Sequence, residues 1–189
     1  MQNIFTNETL KNIKQRRSIR SFKDEQIKDE ELQVVLEAGL YAPNAGNQPW
    51  HFTAIQNKEI LNKLNILAKE AAKQMGGPLA ALGNDEQFHC MYNAPTLIIV
   101  SGDEQSICPE VDCAAATQNL LIAAESIGLG SCWIFFVTLA FASSQAAELR
   151  RELQIQDGYK PYYAAVFGYK NAAAVSIPER NSNLITYIK

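Results

Sequence analysis

The chain is poor in histidine, with only His51 and His89 among 189 residues. Its four cysteines, at positions 90, 108, 113 and 132, form no Cys-x-x-Cys pair. Neither a zinc centre nor a dithiol redox motif is therefore supported, and no metal site is expected. No Gly-x-Ser-x-Gly occurs, and neither histidine sits in a recognisable nucleophile setting. A Gly-x-Gly-x-x-Gly after a first strand is also missing, which removes the fingerprint of a doubly wound dinucleotide-binding fold. No run of 18 apolar residues exists, so no transmembrane helix is expected. Met1-Gln2-Asn3-Ile4-Phe5-Thr6 lacks the charged start and apolar run of a secretory leader, and the expected location is cytoplasmic. In that compartment the cysteines read as small buried residues or idle thiols rather than as a disulfide framework. Charge of one sign is scarce too. Seventeen basic residues against 20 acidic ones, net -3, argue against nucleic-acid or anionic-membrane partners, which need a spread of Lys and Arg.

What is present is an ordinary globular composition, 47% apolar and 20% charged. The length predicts one domain, residues 1–189, able to bury roughly 70% of its extended surface. Apolar periodicity predicts helices over 7–17, 29–41, 59–75, 111–127 and 143–154. Strands are predicted over 51–55, 95–100, 132–137 and 162–167, and Leu184-Ile185-Thr186-Tyr187-Ile188 suits an edge strand. Gly76-Gly77-Pro78 stops the third helix, and residues 79–93 read as a flexible excursion. Gly128 suits a left-handed helix cap. The mixture lacks regular βαβ alternation, so the expected fold is α+β, a sheet flanked by helices.

Three segments stand out chemically. Arg16-Arg17-Ser18-Ile19-Arg20 packs three guanidiniums and a hydroxyl into five residues of a net acidic chain. Arg forks match phosphate oxygens two at a time, so the cluster suits a phosphate dianion. The plainer reading is a solvated basic face at a helix C-terminus, where the dipole favours cations. Pro43-Asn44-Ala45-Gly46-Asn47-Gln48-Pro49-Trp50 is an amide-rich loop between prolines. It fits either a plain turn or a reader of a heteroaromatic ring edge. The helix over 111–127 is apolar nearly all round and alanine-rich, which suits a central core helix or a subunit interface.

Together with Asn93-Ala94-Pro95-Thr96-Leu97-Ile98-Ile99-Val100 and Asn119 through Trp133, these segments resemble the nitroreductase family of flavin enzymes over nearly the whole chain. The resemblance implies a homodimer with FMN at the subunit interface and the C-terminal tail exchanged or packed between subunits. It implies hydride transfer from NADH or NADPH through the flavin to a small acceptor such as a nitroaromatic or quinone. It further implies that Arg16, Arg17, Ser18 and Arg20 hold the phosphate and ribityl chain, with Arg180 closing from the tail. Pro43, Asn44, Ala45 and Asn47 would reach the isoalloxazine from the other subunit, and the backbone of Ile134, Phe135 and Phe136 would meet it near N5. Phe135-Phe136 stand where many relatives carry small residues, so inward-pointing rings would narrow the pocket. No catalytic side chain is expected, because the flavin does the hydride chemistry and water can supply the proton. The alternatives are a specialised flavin-modifying member of the same fold or a non-catalytic flavin- or phosphate-binding protein.

Overall fold

The computed structural model describes residues 6–171 and 176–189. Its centre is the strand β2, Thr96–Asp103, whose residues Leu97 to Val100 are all 0% exposed. It pairs antiparallel with β1 (Trp50–Ile55) on one side and β4 (Tyr159–Gly168) on the other. β3 (Gly130–Ile134) pairs antiparallel with the far side of β4, giving the order β1-β2-β4-β3. Among the described residues the only parallel pairing is a single bridge between Ser18 and Ser131.

Successive strand side chains point to opposite faces, so an apolar run such as Leu97-Ile98-Ile99-Val100 needs cover on both. On one face Leu97, Ile99, Ala164, Val166, Cys132 and Ile134 pack beneath α3 (Lys58–Lys73), a 3-10 helix (Phe136–Ala142) and α6 (Ala146–Glu152). On the other, Ile98, Val100, Ala165 and Phe167 meet α2 (Asp29–Leu40) and α5 (Pro109–Ser126). Burying one such side chain contributes roughly 1.5–3 kcal/mol, so these two layers dominate the stabilisation. The fold is α+β with helices on both faces, as the sequence predicts. α5 is the core helix between sheet and α2, with Cys113, Ala116, Thr117 and Leu120 at 0% exposure. Three of the four free cysteines are buried, Cys108 being exposed.

Local signals explain the boundaries. Asn57 Oδ1 accepts from the N–H groups of Glu59 and Ile60 at the start of α3. Glu31 accepts from the Lys28 N–H at 2.8 Å and from the Tyr169 hydroxyl at 2.6 Å, which ties the start of α2 to the end of β4. That shared carboxylate pushes the Tyr169 phenol up to about 12. Gly128 takes φ +83° after α5, a conformation that other residues rarely adopt.

Four expectations change. Residues 79–93 are not a flexible excursion: α4 (Gly77–Asn84) packs on α3, and Cys90 and Met91 are 1% and 0% exposed. Pro78 starts this helix rather than only stopping the previous one, because a proline is tolerated in a first turn. The third strand ends at Ile134, not 137, since both the N–H and the hydroxyl of Thr138 return to the Phe135 carbonyl and coil the chain. The predicted first helix is present as α1 (Glu8–Gln15), which has no buried residue, Ile13 being 52% exposed. Residues 184–188 form no strand: they follow a short 3-10 turn at Ser182–Leu184, and Ile188 is 96% exposed. A strand needs a neighbour to bond to, and the tail meets none in its own chain among the described residues.

At Gly83 the backbones of α4 and α3 come close: an added Cβ would lie 2.8 Å from the Lys69 carbonyl and 3.0 Å from the Lys73 nitrogen. Backbone cannot swing aside as a side chain can. Gly83→Ala is therefore expected to part α3 from α4 and destabilise by about 1–3 kcal/mol, read as a lower urea midpoint with an unchanged slope.

Candidate functional site

After α1 the chain becomes extended and runs along the free edge of β3. Ile19 N–H donates to the Ser131 carbonyl at 2.9 Å, and Lys23 N–H donates to Tyr169 at the end of β4, also at 2.9 Å. Burial then alternates with period two. Arg17 and Ile19 are 9% and 7% exposed, while Arg16 and Ser18 are half-buried and Arg20 is exposed. Arg16, Ser18 and Arg20 are thus the open positions of the segment.

These three side chains lie within electrostatic reach of one thiol. Burial pushes Cys132 above its ordinary pKa, while Arg20, a hydrogen bond with Ser18, and Arg16 act in the opposite sense. Two guanidiniums and a hydroxyl therefore gather at the edge of β3. Arg17 is used differently. Its guanidinium donates to the Lys14 carbonyl at 2.8 Å and to the Arg16 carbonyl, closing the last turn of α1. The residue predicted to grip a phosphate has its fork committed to its own backbone. Arg180 is exposed in the tail and has no hydrogen bond or ion pair with the cluster among the described residues.

The Arg20 guanidinium lies over the Tyr92 ring, 5.8 Å from its centroid. Tyr92 and Asn93 both have φ +54°, a left-handed conformation that costs bulky residues about 1–3 kcal/mol. A compact turn holds them there. Tyr92 N–H donates to the His89 carbonyl at 2.9 Å, and His89 Nδ1 accepts from Met91 N–H at 3.2 Å and Asn93 N–H at 3.3 Å. Burial, then Lys69, lowers the His89 pKa, which favours the neutral ring that this acceptor role requires.

At the opposite edge of the sheet, Pro43, Asn44, Ala45 and Asn47 lie exposed in the loop before β1. Asn44 Oδ1 accepts from Gly46 N–H at 2.9 Å and Gln48 N–H at 3.2 Å. This local turn supports left-handed conformations at Asn47 and Gln48, with φ +62° and +48°. A long-range tether completes it: Ala45 N–H donates to Asp112 Oδ1 at 3.1 Å. Asp112 is 4% exposed in the first turn of α5, and its other oxygen has no partner within the chain among the described residues. Beside the loop, Asp103, Gln105, Ser106, Ile107 and Tyr159 enclose a cleft of about 320 Å³.

Ile134 ends β3 at 5% exposure. Phe135 is 62% exposed, whereas Phe136 is 7% exposed and meets Phe88 edge-on at 4.9 Å. Only Phe135 is thus available at the surface there. The predicted residues divide into two groups. Arg16, Ser18, Arg20 and Ile134–Phe136 follow β3, and Pro43–Asn47 lead into β1, with β2 and β4 between. Asp112 and Tyr92 were absent from the sequence-derived set. The one usable signal for Asp112 is an acid in the first turn of an otherwise apolar helix.

The profile of the nitroreductase family matches residues 13–169. The chain belongs to the nitroreductase family. A curated relative from Archaeoglobus fulgidus, provisionally named NADH dehydrogenase/NAD(P)H nitroreductase, is 39% identical over 133 residues, covering 67% of each chain. The crystal structure of a Bacteroides fragilis nitroreductase with bound FMN superimposes with TM-score 0.91 at 35% identity, over 97% of this chain and 100% of that one. A second FMN-bound nitroreductase, from Desulfitobacterium hafniense, gives TM-score 0.88 at 30% identity, over 98% and 100%.

Asp112→Ala strips the Ala45 N–H of its acceptor and is expected to lower stability by about 1–3 kcal/mol. It should also open the Asn44–Gln48 loop to limited proteolysis. Asp112→Asn keeps an acceptor oxygen and is expected to restore protection of that loop.

Proposed function

We propose that this chain, as one domain, is an FMN-dependent oxidoreductase that passes hydride from NADH or NADPH through flavin to a nitroaromatic, quinone or similar small acceptor. The observation that carries the reading is the line of groups along β3. Arg16, Ser18 and Arg20 are gathered beside Ser131 and Cys132, and the chain emerges at Ile134–Phe136 three residues further on, about 10 Å along a strand. The donor set fits a phosphate dianion: two fixed cations and a hydroxyl. Each charge-assisted hydrogen bond contributes roughly 1.5–3 kcal/mol. FMN in the Bacteroides fragilis and Desulfitobacterium hafniense relatives supports the same cofactor here.

Bound flavin would supply the two-electron chemistry. The chain's own part is to bind and orient. Arg16, Ser18 and Arg20 would hold the phosphate end, with Arg180 of the tail as a further cation. Arg17 would brace α1 behind them through its backbone contacts. The backbone at Ile134–Phe136 would align the ring end, and the exposed Phe135 would shape the space for nicotinamide and acceptor.

The same layout supports a homodimer. Pro43–Asn47 lie at the opposite sheet edge from the arginines, so a second copy can bring its loop to a ligand on the β3 edge. The surroundings suit an interface: Tyr41, Ile107 and Val111 are 78%, 82% and 66% exposed. The tail suits exchange between copies. Leu184, Ile185, Tyr187 and Ile188 are 62–96% exposed, and β1 is an open edge strand flanked by a groove of about 480 Å³. An apolar, β-branched segment without a partner and an unpaired strand edge are complementary.

The purified protein is expected to be yellow and to bleach when NADH or NADPH is added without oxygen. A yellow protein that no reductant bleaches would indicate passive binding. Arg16→Ala and Arg20→Ala are each expected to lose about tenfold or more in FMN retention on gel filtration, the loss of one charge-assisted contact. Unchanged occupancy in both would refute the phosphate assignment. Light scattering is expected to report a dimer, and deletion of residues 176–189 to weaken it. A monomer with full flavin occupancy would overturn the shared-site reading.

A further inference from the structure

We propose that Tyr92 is a positioning residue for Arg20, holding its guanidinium with the ring and the phenol oxygen so that its remaining N–H donors stay turned to an anion. The inference rests on the phosphate reading of Arg16, Ser18 and Arg20 and names a residue outside that set. Three observations carry it. Arg20 stands over the Tyr92 ring, 5.8 Å from its centroid. Among the described residues Arg20 forms no ion pair with a carboxylate, although the chain has 20 acidic residues. Tyr92 occupies a left-handed conformation, φ +54°, that a bulky residue adopts only when its surroundings enforce it.

The chemistry favours this arrangement over an ion pair. An exposed arginine samples many rotamers, and ordering it on binding weakens the ligand. A carboxylate would order it, but would also occupy the fork and cancel the charge that attracts a phosphate. Tyr92 orders it through the ring face and a hydrogen bond to a neutral phenol, leaving the charge and the remaining donors available. The turn aims the ring. His89 Nδ1 accepts from Met91 and Asn93 N–H groups on either side of Tyr92. The ring also packs against the core cluster beneath α3, which fixes its tilt.

The test compares FMN with riboflavin, which has the same ring and no phosphate, using flavin fluorescence on the full chain. Arg20→Ala, Tyr92→Leu, Tyr92→Phe and the Tyr92→Leu/Arg20→Ala double variant are measured. Leu retains apolar packing against the core that Ala would remove. Tyr92→Leu is expected to raise the Kd for FMN about three- to tenfold, the effect of a lost cation–π contact, with riboflavin unchanged. Tyr92→Phe keeps the ring face and loses only the phenol oxygen, so its Kd for FMN should lie between those of the parent and Tyr92→Leu. In the Arg20→Ala background, Tyr92→Leu should add nothing further. Equal weakening of FMN and riboflavin, additive losses in the double variant, or a Phe variant as weak as Leu would each overturn the proposal. If Arg20→Ala itself leaves the FMN-to-riboflavin ratio unchanged, the phosphate reading falls and this inference falls with it. A normal Arg20→Ala loss beside an inert Tyr92→Leu overturns the inference alone.

Discussion

Thr96–Asp103 lies between two helical layers, and the rest of the architecture follows from keeping both of its faces dry. A strand apolar on both sides must sit inside a sheet, so β1 and β4 flank it and the rims fall to β1 and β3. Covering both faces uses α2 and α5 above, and α3, α6 and the 3-10 helix below. Among the described residues both faces of the sheet are packed, which leaves its rims open. The extended Arg16–Phe22 segment borders β3, and the amide loop borders β1.

The site itself is a case of neighbouring residues with divided labour. Arg16 and Arg20 face outward and Arg17 inward because an extended backbone alternates its side chains, not because the residues differ chemically. Behind each outward group stands a buried or strained support. Asp112 reaches the loop from the first turn of α5, and Tyr92 lies beneath Arg20 in a turn built around His89. Among the described residues, four of the five left-handed non-glycine positions, Asn47, Gln48, Tyr92 and Asn93, fall in these two supports, and the fifth, Gln154, follows α6. Strained backbone collects where geometry matters more than local stability.

Much of the scaffold was legible in the sequence. Residues Leu32, Val35 and Leu36 mark α2 by their spacing, the Leu97–Val100 run marks the buried strand, and Gly128 marks the end of α5. The misses have physical causes. Gly76-Gly77-Pro78 ends one helix and begins another, and one-dimensional punctuation cannot separate the two events. Phe136 and Val137 are as apolar as a strand, but the Thr138 hydroxyl turns the chain before them into a 3-10 helix. Leu184–Ile188 has strand composition, yet composition does not supply a neighbour. At the site, the blocks that carry the family resemblance located the two rims. The inward turn of Arg17 and the reach of Asp112 depend on contacts that only the folded chain makes.

Only Arg16 and Arg17 connect the end of α1 at Gln15 to the bridge at Ser18. With so short a connector, sliding the backbone by one place would send Arg16 and Arg20 inward and bring Arg17 and Ile19 to the rim. Side-chain replacements here remove one group at a time, whereas a single inserted or deleted codon would exchange every inner position for an outer one. The count of places in this stretch is thus constrained as strictly as the letters at 16, 18 and 20, since either change takes a donor away from the rim.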